Sequence, residues 1–302
     1  MSLINSTAIP SGLKDFPLEQ SVKLKGNNGY FHRTPSSNSN RKTWTFSFWV
    51  KLSRLSTTEV IFASNNDETV MRFNSGQFSF REFGNNGANN TWELKTSQVF
   101  NDLTSWYHIV CSVDTTQGTA ANRAKIYVNG VLAPLATASY PDQNQNTSVN
   151  ATEKHNIGSR TDSNAAVTQY FIGYLAEINH IDGLALTANS FGRFNEYGGW
   201  QPVDTQSLTF GTNGFSLKFN SSGNLGLTGS GTNTDTVANF TNVNVAADDQ
   251  VLDTPTNNFC TWNPLSTRLA NQGTMSQGML RYNPAGATMS EPNAMKGTIA
   301  VN

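Results

Sequence analysis

Lys42-Thr43-Trp44-Thr45-Phe46-Ser47-Phe48-Trp49-Val50-Lys51 is the stretch on which the fold turns. Its period is two: Trp44, Phe46, Phe48 and Val50 fall on one side of an extended chain, and Thr45, Ser47 and Trp49 on the other. Burying each of the large apolar side chains is worth about 1.5–3 kcal/mol, so a strand of this composition anchors a core. The same alternation recurs over 59–64, 69–74, 77–82, 91–96, 105–114, 124–128, 155–159 and 169–181. Between these runs stand hairpin signals. Asn129-Gly130 suits a type I′ turn, whose two central positions both require positive φ, and Ser75-Gly76 closes its flanking runs in the same way.

Helical periodicity is confined to 187–194, where Thr187 is a candidate N-cap and Leu186, Phe191 and Phe194 form the buried side. Many short strands, turn signals and no alternating helices predict an all-β protein, an antiparallel jelly-roll sandwich. No fixed repeat of 20–50 residues points to a solenoid or propeller.

Composition agrees. The 302 residues carry 20 Lys+Arg against 21 Asp+Glu, and only 14% of them are charged. Polarity comes instead from neutral side chains, including 37 Asn beside 24 Gly, which favour turns and strands over helices. A net charge of −1 argues against a dedicated nucleic-acid binder. No stretch approaches the roughly 20 apolar residues of a membrane span, and the first 20 residues lack the apolar core of a signal peptide. Two cysteines, Cys111 and Cys260, make no disulfide framework, and Cys111 sits in an apolar run that suits a buried thiol.

The pair Trp106-Tyr107-His108-Ile109-Val110-Cys111-Ser112-Val113-Asp114 and Ala124-Lys125-Ile126-Tyr127-Val128-Asn129-Gly130 resembles the laminin-G-like and pentraxin branch of the concanavalin A-like sandwiches. Gly173-Tyr174-Leu175-Ala176-Glu177-Ile178-Asn179-His180-Ile181-Asp182 looks like that family's closing strand, and the likeness covers about residues 20–200. A narrower resemblance joins residues 42–51 with Tyr174-Leu175-Ala176-Glu177, Phe210-Gly211-Thr212-Asn213-Gly214-Phe215 and Asp253-Thr254-Pro255-Thr256-Asn257-Asn258-Phe259. Together they are similar to lectin/glucanase-like virion proteins of marine bacteriophages, long fibre or appendage chains. In such chains the last segment precedes a SPRY-like domain, whose entry strand the run at 297–302 resembles.

Glucanases of the fold set two carboxylates on one strand; the nearest match is Glu177-Ile178-Asn179-His180-Ile181-Asp182, which departs at two of its three positions, so no catalytic residue is expected. The four histidines, His32, His108, His155 and His180, show no metal-ligand spacing, so neither a metal site nor a cofactor is expected. Calcium, often bound by relatives of this fold, has Asp67, Glu68 and Asp162 as its obvious loop carboxylates, without an Asp-rich loop to gather them. For carbohydrate, Asn86, Asn89 and Asn90 offer amides to pair with hydroxyls and Trp92 offers a ring to stack. The basic stretch 14–54, eight Lys or Arg against two acids, offers a docking face for an acidic partner.

The expected organisation is an arm at 1–19 and a concanavalin A-like sandwich at 20–205. A β-rich extension at 206–264 packs on the sandwich, and a linker at 265–302 leads toward a further domain. The resemblance implies a non-enzymatic structural virion protein, a tail-fibre or appendage component located in the virion. Its partners would be other tail or capsid proteins, further copies of itself, with a trimer as the expected symmetry, and a host-surface glycan. The alternatives are a capsid decoration protein, a glycan depolymerase using Glu177 and Asp182, and a free secreted lectin.

Overall fold

The computed structural model describes residues 16–258 except 27, 56–57, 65–67, 84–89, 163, 222–223 and 228–239; of 90, 273–276 and 281–284 it describes the backbone. The first strands are β1 (Ser21–Lys25), β2 (Tyr30–Arg33), β3 (Thr43–Leu52), β4 (Glu59–Ser64), β5 (Thr69–Asn74), β6 (Gln77–Phe83) and β7 (Asn90–Val99). There follow β8 (Tyr107–Asp114), β9 (Ala124–Val128), β10 (Val131–Leu132), β11 (Leu135–Ser139), β12 (His155–Ile157), β13 (Arg160–Thr161) and β14 (Val167–Thr168). Last come β15 (Ile172–Asp182), β16 (Gly192–Phe194), β17 (Trp200–Pro202), β18 (Phe215–Leu217), β19 (Thr241–Val243), β20 (Gln250–Val251), β21 (Gly273–Ser276) and β22 (Arg281–Pro284).

Two eight-stranded sheets face each other. One runs β10-β9-β8-β3-β15-β1-β20, with β18 also on β15; the other runs β11-β7-β6-β5-β4-β12-β2-β19. β3 lies antiparallel between β8 and β15. Its Trp44, Phe46, Phe48 and Val50 are fully buried against Phe78 and Phe80 of β6, Trp92 and Leu94 of β7, and Ile109 and Cys111 of β8. The alternation therefore decides the fold as read: these rings share one interior between two antiparallel layers. Cys111 is a free, buried thiol, and burial pushes its pKa up.

The other face of the same strand is also covered. Trp49 packs with Leu18, Trp106, Tyr174 and Ala176, and Val110 and Ile181 pack with Ala188, Phe191 and Phe210. The chain after β15 thus lies over the outside of the first sheet. Gly214 explains part of the glycine usage there, because a Cβ on it would sit 1.7 Å from the Phe210 carbonyl oxygen.

The hairpins form as the turn chemistry requires. Asn129 and Gly130 have φ of +45° and +85°, Ser75 and Gly76 of +50° and +80°. The helix expected at 187–194 is corrected: one 3-10 turn, Ala188–Ser190, ends at β16, and Thr187 makes no side-chain cap. Phe191 is buried, but Phe194 is 50% exposed, because the chain has turned into a strand whose partner is β17. The linker expected at 265–302 holds the antiparallel pair β21–β22, while Cys260 and the run at 297–302 lie outside the described residues.

Candidate functional site

Aromatic side chains reach solvent on the β16–β17 hairpin. Tyr197 at its tip is 87% exposed and Phe194 50% exposed, with the Phe194 ring edge-on to Trp200 at 4.9 Å between centroids. The tip is held by one side chain: Asn195 Oδ1 accepts the backbone N–H of Tyr197 at 3.0 Å and of Gly199 at 2.7 Å. Asn195 N–H also donates to the Gly199 carbonyl, and Gly198 N–H to the Asn195 carbonyl. A short polar side chain that closes its own turn gives the tip a fixed shape.

The base is fixed by a column of rings. Trp200 lies against Gly130, where a Cβ would meet its ring at 2.3 Å. Its Nε1–H donates to His108 Nδ1 at 3.0 Å, and the His108 ring packs tilted on Trp49, 4.7 Å between centroids. Since an indole can only donate, His108 Nδ1 must accept, so Nε2 carries the proton and donates to Ser47 Oγ at 2.9 Å. Burial holds this imidazole neutral, its pKa lowered to about 3. Val131 and Leu132 of β10, which follow Gly130, are more than half exposed and extend the apolar surface beside the hairpin.

The site expected around Trp92 is corrected. Trp92 is completely buried, edge-on to Phe80 at 4.7 Å, because β7 turns its even-numbered side chains inward; it cannot stack on a ligand. Asn90 opens β7 opposite Phe83, and Asn86 and Asn89 lie outside the described residues. The exposed hairpin aromatics were missed in the sequence, although Phe194 and Trp200 flanking Asn195 and Gly198-Gly199 is itself a hairpin signal.

The two acids with glucanase-like spacing are engaged separately. Glu177 sits at a β-bulge with φ of +45° and accepts Thr205 Oγ1–H at 2.8 Å. Burial raises its pKa, opposed by Lys218 and the Thr205 hydrogen bond. Asp182 instead accepts the Asn40 N–H at 3.1 Å, Asn150 Nδ2–H at 3.0 Å and the Asn213 N–H at 2.9 Å. Each carboxylate thus ties a different stretch of chain to β15. Of the calcium candidates, Asp162 accepts two backbone N–H groups of its own turn, and Asp67 lies outside the described residues. Among the described residues no group of three or more His, Cys, Asp or Glu is gathered to hold a metal. No helix there is long and apolar enough to cross a membrane.

A third buried acid, Glu82, accepts the Thr69 hydroxyl and the Ser148 N–H at the edge of the core. Burial raises its pKa from 4.5 to about 7. A carboxyl whose folded pKa is raised favours folding below its unfolded pKa, and that advantage is lost as the pH climbs through 7. Glu82→Gln should therefore lie within about 1 kcal/mol of the wild type in urea at pH 5 and exceed it by about 3 kcal/mol at pH 8. Equal midpoints at pH 8 would count against a desolvated carboxylate.

The chain is a lectin-like β-sandwich by architecture. The family model described as the concanavalin A-like lectin/glucanases superfamily matches residues 25–190, and the chain belongs to that family. A Bacteroides ovatus protein assigned to carbohydrate binding superposes with a TM-score of 0.52 at 15% identity, over 80% of this chain and 62% of its own. This chain thus spans about three fifths of that relative. The heptameric pentraxin of Limulus polyphemus has a TM-score of 0.40 at 17% identity, over 57% of this chain and 80% of its own. Domains LG4-5 of the mouse laminin α1 chain have 0.39 at 14%, over 63% and 48%. No curated protein sequence matches the chain.

Proposed function

We propose that this chain is a non-catalytic glycan-binding module, and that Phe194 and Tyr197 are the rings on which a sugar stacks. The observation that carries this reading is the pair of aromatic rings, Tyr197 at the tip and Phe194 half-exposed against Trp200, presented to solvent on a hairpin locked at both ends. Membership of a lectin-containing family and the described function of the Bacteroides ovatus relative support it. Asn86, Asn89 and Asn90 are kept as a second, amide-based contact to be tested beside it.

The setting we propose is a bacteriophage virion, with the chain as part of a tail fibre or appendage, assembled with other virion proteins and with copies of itself. The support is the resemblance of four sequence segments to those of marine phage fibre chains. Calcium bound at the loops is a further part of the proposal.

The purified chain should bind a subset of glycans on an array. Tyr197→Ala should weaken that binding about tenfold, as expected for about 1.4 kcal/mol from one ring, with thermal stability unchanged. Undiminished binding by Tyr197→Ala and Phe194→Ala would move the site elsewhere. Mass spectrometry of purified particles checks the virion setting, and absence of the chain from them would remove it.

A further inference from the structure

An amine, a carboxylate and a carboxamide meet on the outer face of the first sheet, in a place the glycan reading does not use. Lys51, near the end of β3, and Asp253 are each only 1% exposed. Lys51 Nζ donates to Asp253 Oδ2 at 2.9 Å and to Asn258 Oδ1 at 2.8 Å. Every group around the pair is fixed. Asp253 Oδ1 accepts the Trp106 indole N–H at 3.0 Å, and the Asp253 carbonyl accepts the Ser21 hydroxyl at 2.5 Å. Asn258 is held from its far end, Nδ2–H donating to the Thr104 carbonyl at 2.9 Å. Trp49, Trp106, Tyr174 and Leu18 supply an apolar wall.

Salt bridging needs only Lys51 and Asp253. The third member points to chemistry. The carboxamide carbon of Asn258 lies one C=O bond, about 1.23 Å, behind Oδ1, so Nζ stands at most about 4 Å from it. Reacting atoms in a productive arrangement are about 3–3.5 Å apart, within the span that this contact allows; Lys51 and Asp253 are buried, and Asn258 closes the site from its exposed side. All three residues come from segments that the fold must bring together, since Lys51 and Asn258 are 207 positions apart.

We propose that Lys51 and Asn258 condense into an intramolecular isopeptide bond, with Asp253 moving the protons. The Asp253 carboxylate takes a proton from Lys51 Nζ, leaving a free amine. The Nζ lone pair attacks Cγ of Asn258, forming the new C–N bond. Asp253 gives its proton to Nδ2, the old C–N bond breaks and ammonia leaves; Asp253 then takes the second proton from Nζ. Charge balances, no electrons are transferred and no co-reactant is needed. The product replaces a buried ion pair with an amide and a neutral carboxyl, and it ties the covering segment to β3.

The test needs only the unaltered full chain. Its intact mass should fall below the sequence mass by one ammonia, about 17 Da. Proteolysis should release a branched peptide joining the segments that carry Lys51 and Asn258. Lys51→Arg and Asp253→Asn should restore the sequence mass and linear peptides. Full sequence mass for the unaltered chain, with Lys51 and Asn258 recovered in separate linear peptides, overturns the proposal. So does a loss of ammonia that maps elsewhere, such as to Asn129-Gly130.

Discussion

Lowering the pH from 7 to 4 is expected to unfold this protein, and three buried imidazoles are the reason. Each is locked in a neutral tautomer by its partners. His108 is held by Trp200 and Ser47, as above. His155 Nδ1–H donates to the Glu153 carbonyl at 2.7 Å. His180 Nε2–H donates to Asn150 Oδ1 at 2.7 Å, because Asn150 Nδ2 is already donating to Asn40 and Asp182. Burial lowers the pKa of His108 and of His155 to about 3; it lowers His180 well below 6.5, and Arg33 and His155 add to that by repulsion.

The sign follows from proton counting. Below about 6.5 the unfolded chain binds protons that the folded chain refuses, so stability drops as the pH falls from 6.5 toward 3. By pH 4 His108 and His155 each remove about 3 kcal/mol, and His180 acts in the same direction. A domain holds only about 5–15 kcal/mol in total. Glu82 works the other way between pH 4.5 and 7 and pulls the optimum toward acid, but one carboxyl is outweighed by the three imidazoles, so the optimum stays near neutrality. Circular dichroism against pH should show cooperative unfolding between about pH 5 and 4, and imidazole NMR signals should show none of the three titrating near 6.5. Ordinary titration of all three would sink the account.

These histidines also show where the sequence stopped being readable. The alternation over residues 43–52 gave the layers because period two depends on neighbours alone, and the Asn-Gly and Ser-Gly turns gave two hairpins for the same reason. β1 and β2 were passed over: Ser21–Lys25 and Tyr30–Arg33 are short, carry Lys, His and Arg, and become strands only through pairing with β15 and β12. Arg33 is buried not by its own pattern but by Phe215 and Phe240, whose rings its guanidinium covers at 4.3 and 5.0 Å. The site was harder still. Trp92 beside an Asn-rich loop and Trp200 beside Gly198-Gly199 look alike as text. Strand parity sends the first inward, and a packed His108 fixes the second at the surface.

Replacing Trp44 by alanine is expected to cost about 3–5 kcal/mol, the range for deleting a fully buried aromatic ring. The ring lies edge-on to Phe80 at 5.7 Å and 6.0 Å from the His180 ring, so it joins the two sheets. Its Nε1–H donates to Thr147 Oγ1 at 2.9 Å, and Thr147 Oγ1–H passes on to the Arg41 carbonyl at 2.8 Å. The interior therefore loses both packing and an anchored loop. Trp44→Phe keeps most of the packing but leaves Thr147 without its donor, and should cost about 1–2 kcal/mol. The two variants separate volume from hydrogen bonding in one urea series. The alanine variant makes a second, independent demand: the space it opens lies beside His180, and water entering there eases protonation of the imidazole. Its acid midpoint should rise above that of Trp44→Phe by more than the neutral-pH stability difference explains. A Trp44→Ala protein within about 1 kcal/mol of wild type would mean that the ring is not part of a shared interior, and the two-layer account of the fold would go with it.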